Sequence, residues 1–301
     1  MTQITASDGR QITLSYPNST SIAVSSVSDG SRTWTYGSSG GNATVTLPDG
    51  STWSSNLSAL FNFEMHTNGD GCTADVAYTG TPPILTGSVT SPSGATALYT
   101  MTPVKMGRSW VPLECVADDG GVPIYAREPA AYWNLAVTAK KITGPGLPVA
   151  GIQWTYAYGP ANGCFYPGSS GCTASSPTKR TVSVTDSEGA VTRYTFGNRY
   201  LQDEGLLLTT ESGWNGTSAL RKVDNTYAAM YAAPYYAGSG YSPRQRGDAI
   251  ITGLKHPQQK VMTTQQGRYF IWEVASDCPN VPYCFDIYAR PTKVVKSSVN
   301  P

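Results

Sequence analysis

Ser28-Asp29-Gly30-Ser31-Arg32-Thr33-Trp34-Thr35-Tyr36 decides how this chain is read. Asp-Gly suits a tight hairpin corner, because glycine takes positive φ without steric cost and aspartate bonds its own backbone. The residues after it alternate. Trp34 and Tyr36 share one face, Thr33 and Thr35 the other, which is the period of a half-buried strand. Ser7-Asp8-Gly9-Arg10 upstream and Pro48-Asp49-Gly50-Ser51-Thr52-Trp53 downstream repeat the design, with glycines 21 and 20 residues apart. A fixed period of that length describes a hairpin-sized unit repeated along the chain. The predicted fold is all-β: an extended, curved antiparallel sheet of stacked hairpins, with no long helix.

Composition agrees. Among 301 residues there are 31 Gly, 21 Pro and 19 Tyr, and only 14% are charged. Helix-favouring runs of Ala, Leu, Glu and Lys are missing. A net charge of +1 provides no field to attract nucleic acid. Residues 1–100 are acidic, with Arg10 and Arg32 against Asp8, Asp29, Asp49, Glu64, Asp70 and Asp75. This reads as solvated surface rather than a functional gradient. No apolar run is long enough to span a membrane. The start, Met1-Thr2-Gln3-Ile4-Thr5-Ala6, shows no signal peptide. Both ends look cut in mid-pattern, as in a segment of a longer protein.

The chain reads as one continuous β-repeat region over 1–301. Repeats are clear over 5–60 and 178–227, the middle over 67–175 is irregular and loop-rich, and a β tail covers 245–295. Leu60–His66, Ala131–Val137, Ile152–Tyr158, Gly267–Val274 and Phe285–Arg290 are predicted as strands, and Thr86–Ser91 with Ala95–Met101 as a hairpin around Pro92-Ser93-Gly94. Asp186-Ser187-Glu188-Gly189 is a further corner, between Arg180–Thr185 and Val191–Phe196.

Six cysteines are present. Cys164/Cys172 and Cys278/Cys284 each bracket a turn-rich stretch, and Cys72 and Cys115 remain. Local pairs favour disulfides and an oxidising, extracellular setting, although fifteen connectivities exist. No Cys-x-x-Cys occurs, and His66 and His256 are the only imidazoles, so no zinc or other metal site is expected.

Asp186–Gly189 followed by Thr192-Arg193-Tyr194-Thr195-Phe196, together with Asp29–Tyr36 and Val45–Gly50, resembles the YD repeat of the rearrangement-hotspot (RHS) family. The likeness covers about a third of the chain. The Tyr-Asp dipeptide itself is replaced, Tyr36 being followed by Gly37. The resemblance implies a β-sheet coiled into a shell that encloses a toxin, or a cell-surface module. The implied protein is bacterial, secreted or surface-held. Its implied partners are the remainder of its own polypeptide or the enclosed cargo, with self-association through open sheet edges. The family's self-cleavage segment has no match here.

Reaction chemistry finds little support. Gly37-Ser38-Ser39-Gly40-Gly41 fits a nucleophile-elbow pattern, but a strand follows where a helix is needed. Gly69/Gly71 and Gly144/Gly146 lack the third glycine of a dinucleotide site. The carboxylate clusters Asp118/Asp119, Asp186/Glu188 and Asp203/Glu204 sit in turn contexts. His66 shares a polar strand face with Glu64. No cofactor and no catalytic residue is expected, and a β-rich glycoside hydrolase is the least favoured reading. Trp34, Tyr36, Trp53, Trp154, Tyr156 and Tyr158 form stripes at strand spacing. They pack neighbouring strands, or, in the alternative reading of a carbohydrate-binding adhesion module, stack on surface glycans.

Overall fold

The computed structural model describes residues 2–61, 78, 80–116, 125–166, 171–229, 234–235 and 256–300. Its strands are β1 (Gln3–Thr5), β2 (Gln11–Ser15), β3 (Ser26–Ser28), β4 (Thr33–Ser39), β5 (Asn42–Thr46), β6 (Thr52–Asn56), β7 (Leu85–Thr90) and β8 (Thr96–Gly107). Then follow β9 (Val111–Pro112), β10 (Cys115–Val116), β11 (Tyr125–Ala126), β12 (Ala131–Thr143), β13 (Ile152–Tyr158) and β14 (Phe165–Tyr166). The last are β15 (Lys179–Thr185), β16 (Val191–Gly197), β17 (Leu207–Ser212), β18 (Arg221–Tyr227), β19 (Gln258–Gln265), β20 (Arg268–Val274) and β21 (Val294–Val299). One helical turn, α1, spans Ser58–Phe61. The protein is thus all-β, with one large sheet of 17 strands.

The chain divides into two compact units. Unit 1 is Met1–Glu64, Thr81–Pro103 and Leu135–Thr155; unit 2 is Met65–Gly80, Val104–Asn134 and Tyr156–Pro301. In unit 1, β1 to β8 form an antiparallel meander, each strand paired with the next. In unit 2, β15 to β21 do the same.

One local device recurs in both units. Five corners, 6–10, 47–51, 91–95, 186–190 and 286–290, share two backbone bonds. The N–H of the first residue donates to the carbonyl of the fifth, and the N–H of the fourth donates to the carbonyl of the first. The fourth residue is left-handed each time: Gly9 at φ +85°, Gly50 at +83°, Gly94 at +82°, Gly189 at +83° and Ala289 at +64°. This is a three-residue hairpin loop, a turn closed by a left-handed residue. Aspartate locks it. Asp8 and Asp49 accept the N–H of Arg10 and Ser51, and Asp186 and Asp286 each accept two backbone N–H groups. Bonds from the Ser51 hydroxyl and amide hold the Asp49 carboxyl below its usual range. The Asp29 corner differs: the Asp29 N–H donates to the carbonyl of Arg32, leaving Gly30 and Ser31 as a two-residue loop.

Two predicted strands are corrected. Phe285–Arg290 is the fifth corner, with Phe285 bridged to Pro291. Its residues alternate as a strand would, and alanine stands where the other corners carry glycine. Ser58–Phe61 is a helical turn, so Leu60 and Phe61 do not open a strand; the rest of that stretch, with His66, lies outside the described residues. The middle of the chain also contains the two longest strands described, β8 and β12.

Ala289 gives a test. A left-handed alanine costs about 1–2 kcal/mol, and glycine loses somewhat less than that in the unfolded chain. Ala289→Gly is therefore expected to stabilise the protein by about 0.5 kcal/mol. Gly50→Ala is expected to destabilise it by about 1 kcal/mol. Denaturant midpoints measure both, and equal effects of the same sign would refute the shared geometry.

Little of the described chain is core. Of its ten buried hydrophobic residues, nine lie in unit 2 and only Ala136 in unit 1. In unit 2, Ala228, Tyr235, Val274, Ala275, Cys284 and Phe285 cluster under the last strands, with Tyr235 edge-on to Phe285 at 5.6 Å. The seven-strand meander has no aliphatic inner face. One cross-strand row reads Ser183, Arg193, Glu211, Lys222, Thr264, Tyr269, Val299. A row on the opposite face reads Val182, Tyr194, Thr210, Val223, Thr263, Phe270, Ser298. Backbone ladders and cross-strand pairs hold such a sheet more than apolar burial does.

Candidate functional site

The densest polar structure lies in unit 2, where Gly107–Val111 runs among three other segments. Arg108, Ser109 and Val111 are all buried. The Arg108 N–H donates to the Ala130 carbonyl, and the Arg108 carbonyl accepts from Cys164. Ser109 exchanges backbone bonds with Asn198 and Tyr200, and its hydroxyl donates to Asn198 Oδ1. Asn198 Nδ2 in turn donates to the carbonyls of Ala161 and Asn162. Only glycine fits at two points. A Cβ on Gly107 would stand 2.1 Å from the Ala161 oxygen, and one on Gly163 would stand 2.1 Å from the Ala130 oxygen.

The Arg108 side chain, 6% exposed, lies between two carboxylates. Its Nη1 donates to Glu128 at 2.8 Å, and its Nε lies 2.7 Å from Glu204. Its guanidinium carbon sits 4.5 Å from the Tyr200 ring. Burial works against the charge, but the two carboxylates outweigh it and hold the guanidinium above its ordinary value. Beside this triad Trp110 adopts φ +62°, a conformation that strains a bulky residue. Its N–H donates to Cys172 Sγ, and its ring lies 5.1 Å from that of Tyr166. The chemistry of the knot is that of a clamp.

One cysteine bridge borders this knot and another lies in the cluster under the last strands. Cys164–Cys172 and Cys278–Cys284 are disulfides. Cys115 is disulfide-bonded too, and Cys72 lies outside the described residues. Each short bridge is worth about 2–2.5 kcal/mol by loop entropy. Asp277 lies near Cys278 and Cys284, but both sulfurs are engaged in their bridge and Asp277 pairs with Lys293.

The six aromatic candidates separate into groups. Register places Trp34, Tyr36 and Trp53 on one face of unit 1, with Tyr36 and Trp53 both lined up on Val45 and Trp34 opposite Val27. Tyr36 and Trp53 are 39% and 44% exposed. Trp154, also in unit 1, is covered by the Lys140 ammonium at 5.3 Å. Tyr156 and Tyr158 belong to unit 2, where the Arg180 guanidinium lies 5.4 Å from the Tyr158 ring. Asp203 and Glu204 serve different partners: Asp203 grips Arg199, while Glu204 reaches Arg108. Asp186 is spent on its corner. Asp118 and Asp119 lie outside the described residues. Gly40 and Gly41 form a two-residue turn leading into β5.

A cleft of about 500 Å³ opens in unit 2, lined among others by Lys179, Arg199, Gln202, Leu208, Tyr227 and His256. Nothing in the sequence announces it, because His256 lies 53 residues from Asp203 and 77 from Lys179. Burial pushes the His256 imidazole below its ordinary value, opposed by a bond to the Ala228 backbone and by the Asp203 charge. A neutral, half-buried histidine binds fewer protons than the unfolded chain, so its contribution is full above pH 6.5 and fades as pH falls below that value. The wild type is therefore expected to lose stability as pH falls below 6.5 more steeply than His256→Gln. Parallel slopes in guanidinium titrations would contradict this.

No protein-family model matches the chain, and no curated protein matches it either.

Proposed function

We propose that this chain is a non-catalytic structural segment, part of a β-wall of the RHS/YD-repeat kind that encloses or displays another polypeptide. The observation that carries the reading is the five-fold recurrence of one hairpin corner, in both units, with the same two bonds and the same left-handed fourth residue. A wall needs strands in series and tolerates water on both sides. Here β1, β4 and β21 are almost wholly exposed, and buried hydrophobic residues are few among those described. Disulfides suit a secreted or surface-held protein.

Among the described residues β21 pairs only with β20. Its outer backbone groups are open to another strand. The expected result is association that rises with protein concentration in light scattering. Val295→Lys with Val299→Lys, two charges on one face of that edge, is expected to weaken it. A monomer at every concentration would count against the wall.

A second reading, a glycan-binding module, draws on the flat Trp34/Tyr36/Trp53 strip. Trp53→Ala is expected to abolish sugar binding if that strip is the platform; a glycan array without signal would remove this reading.

A further inference from the structure

We propose that the cleft of unit 2 binds a carboxylated sugar ring, such as a uronic acid residue, with Lys179 and Arg199 taking the carboxylate and the Leu208/Tyr227 side taking the ring. This goes beyond the wall and does not depend on it.

Size comes first. About 500 Å³ lies within the range of small-ligand clefts and suits one or two rings rather than a folded partner. Charge comes next. The lining has the cations Lys179 and Arg199 against one carboxylate, Asp203, and Asp203 is already held by Arg199 through its backbone N–H, Nε and Nη2. That pairing leaves Arg199 Nη1 outside the Asp203 fork, on a side chain that is 42% exposed. Lys179 is exposed and makes no ion pair among the described residues. Among the described residues the lining thus has one positive charge in excess, on a rim where a carboxylate meets a fixed guanidinium and a mobile ammonium.

Polar groups suited to hydroxyls stand nearby. His256 stands on the cleft lining beside the Ala228 backbone. An imidazole offers two ring nitrogens for bonds to hydroxyls. Gln202 is exposed and supplies an amide that both donates and accepts. Tyr227 is fixed by its own hydroxyl, which donates to the Leu207 carbonyl at 3.0 Å. With Leu206 and Leu208 it makes the half-buried apolar side of the cleft. A sugar ring has this same division, a C–H face and a hydroxyl rim, and its carboxylate distinguishes it from neutral sugars. A bare inorganic anion would use only the cationic rim.

The test is calorimetric titration of the whole chain with a glucuronic acid disaccharide, its neutral glucose counterpart and inorganic phosphate. The acidic sugar is expected to bind about tenfold more tightly than the neutral one, and phosphate more weakly than either. Lys179→Met, at an exposed position, is expected to remove most of the preference for the acidic sugar. His256→Gln is expected to weaken both sugars about equally. Circular dichroism of each variant verifies the fold. Equal binding of acidic and neutral sugars, phosphate binding as tightly as the acidic sugar, or no sugar binding at millimolar concentration would each overturn the assignment.

Discussion

Arg108→Met is expected to lower the stability of unit 2 by about 3–5 kcal/mol, the cost of leaving buried carboxylates without their counter-charge. The methionine fills much of the arginine's volume, so the loss reports charge more than packing. Glu128 and Glu204 are 12% and 22% exposed at the side chain, too little for water to replace the guanidinium. Adding Glu128→Gln and Glu204→Gln to Arg108→Met is expected to recover part of the loss, because no buried charge then remains. Native-state hydrogen exchange provides a local readout. The amides of Ser109, Tyr200 and Cys164 bond across the knot and are expected to lose protection together. A change below about 1 kcal/mol, the level of an exposed ion pair, would show that the triad is not the clamp described here.

Gly163→Ala is the second large effect. The added methyl would meet a backbone carbonyl oxygen, that of Ala130, at 2.1 Å. A flexible side chain could turn away, but this oxygen is already bonded to the Arg108 N–H. Relief therefore requires main-chain movement where Gly163 meets the buried Ala130, at about 3 kcal/mol or more. Gly146→Ala is the control, since nothing lies within 4 Å of the Cβ position there. Its cost is expected to be about 1 kcal/mol, from its positive φ alone. Equal midpoints for the two variants would contradict the close approach at Gly163.

The hairpins were legible in the sequence because their chemistry is local. Gly9, Gly50 and Gly189 announce a positive φ, and the alternation beside them fixes a strand and its face. Where the same geometry uses alanine, as at Ala289, the signal vanishes although the corner does not. Pro103 and Gly107 punctuate β8, and such residues argue against a long strand when read alone. The knot was not legible. Arg108 finds Glu128 20 residues away and Glu204 96 residues away, and nothing around Gly107-Arg108-Ser109 marks it as buried. Trp214 is a similar case. It lies 3.4 Å from the Arg193 guanidinium carbon, and Arg193 pairs across the sheet with Glu211, an arrangement set by register rather than by neighbours in the chain.

If one corner recurs as an interchangeable part, a corner from one hairpin should work in another place. The direct measurement is a transplant, giving 286–290 the sequence of 186–190 through Ile287→Ser, Tyr288→Glu, Ala289→Gly and Arg290→Ala. Ile287, Tyr288 and the Arg290 side chain are all more than half exposed, so the exchange alters the corner with little effect on packing. Expected is an unfolding midpoint equal to or above that of the parent, with protection of the backbone amides at positions 286 and 289 retained in hydrogen exchange. A lowered midpoint with loss of those protected amides would contradict the recurring corner as the unit from which this sheet is built.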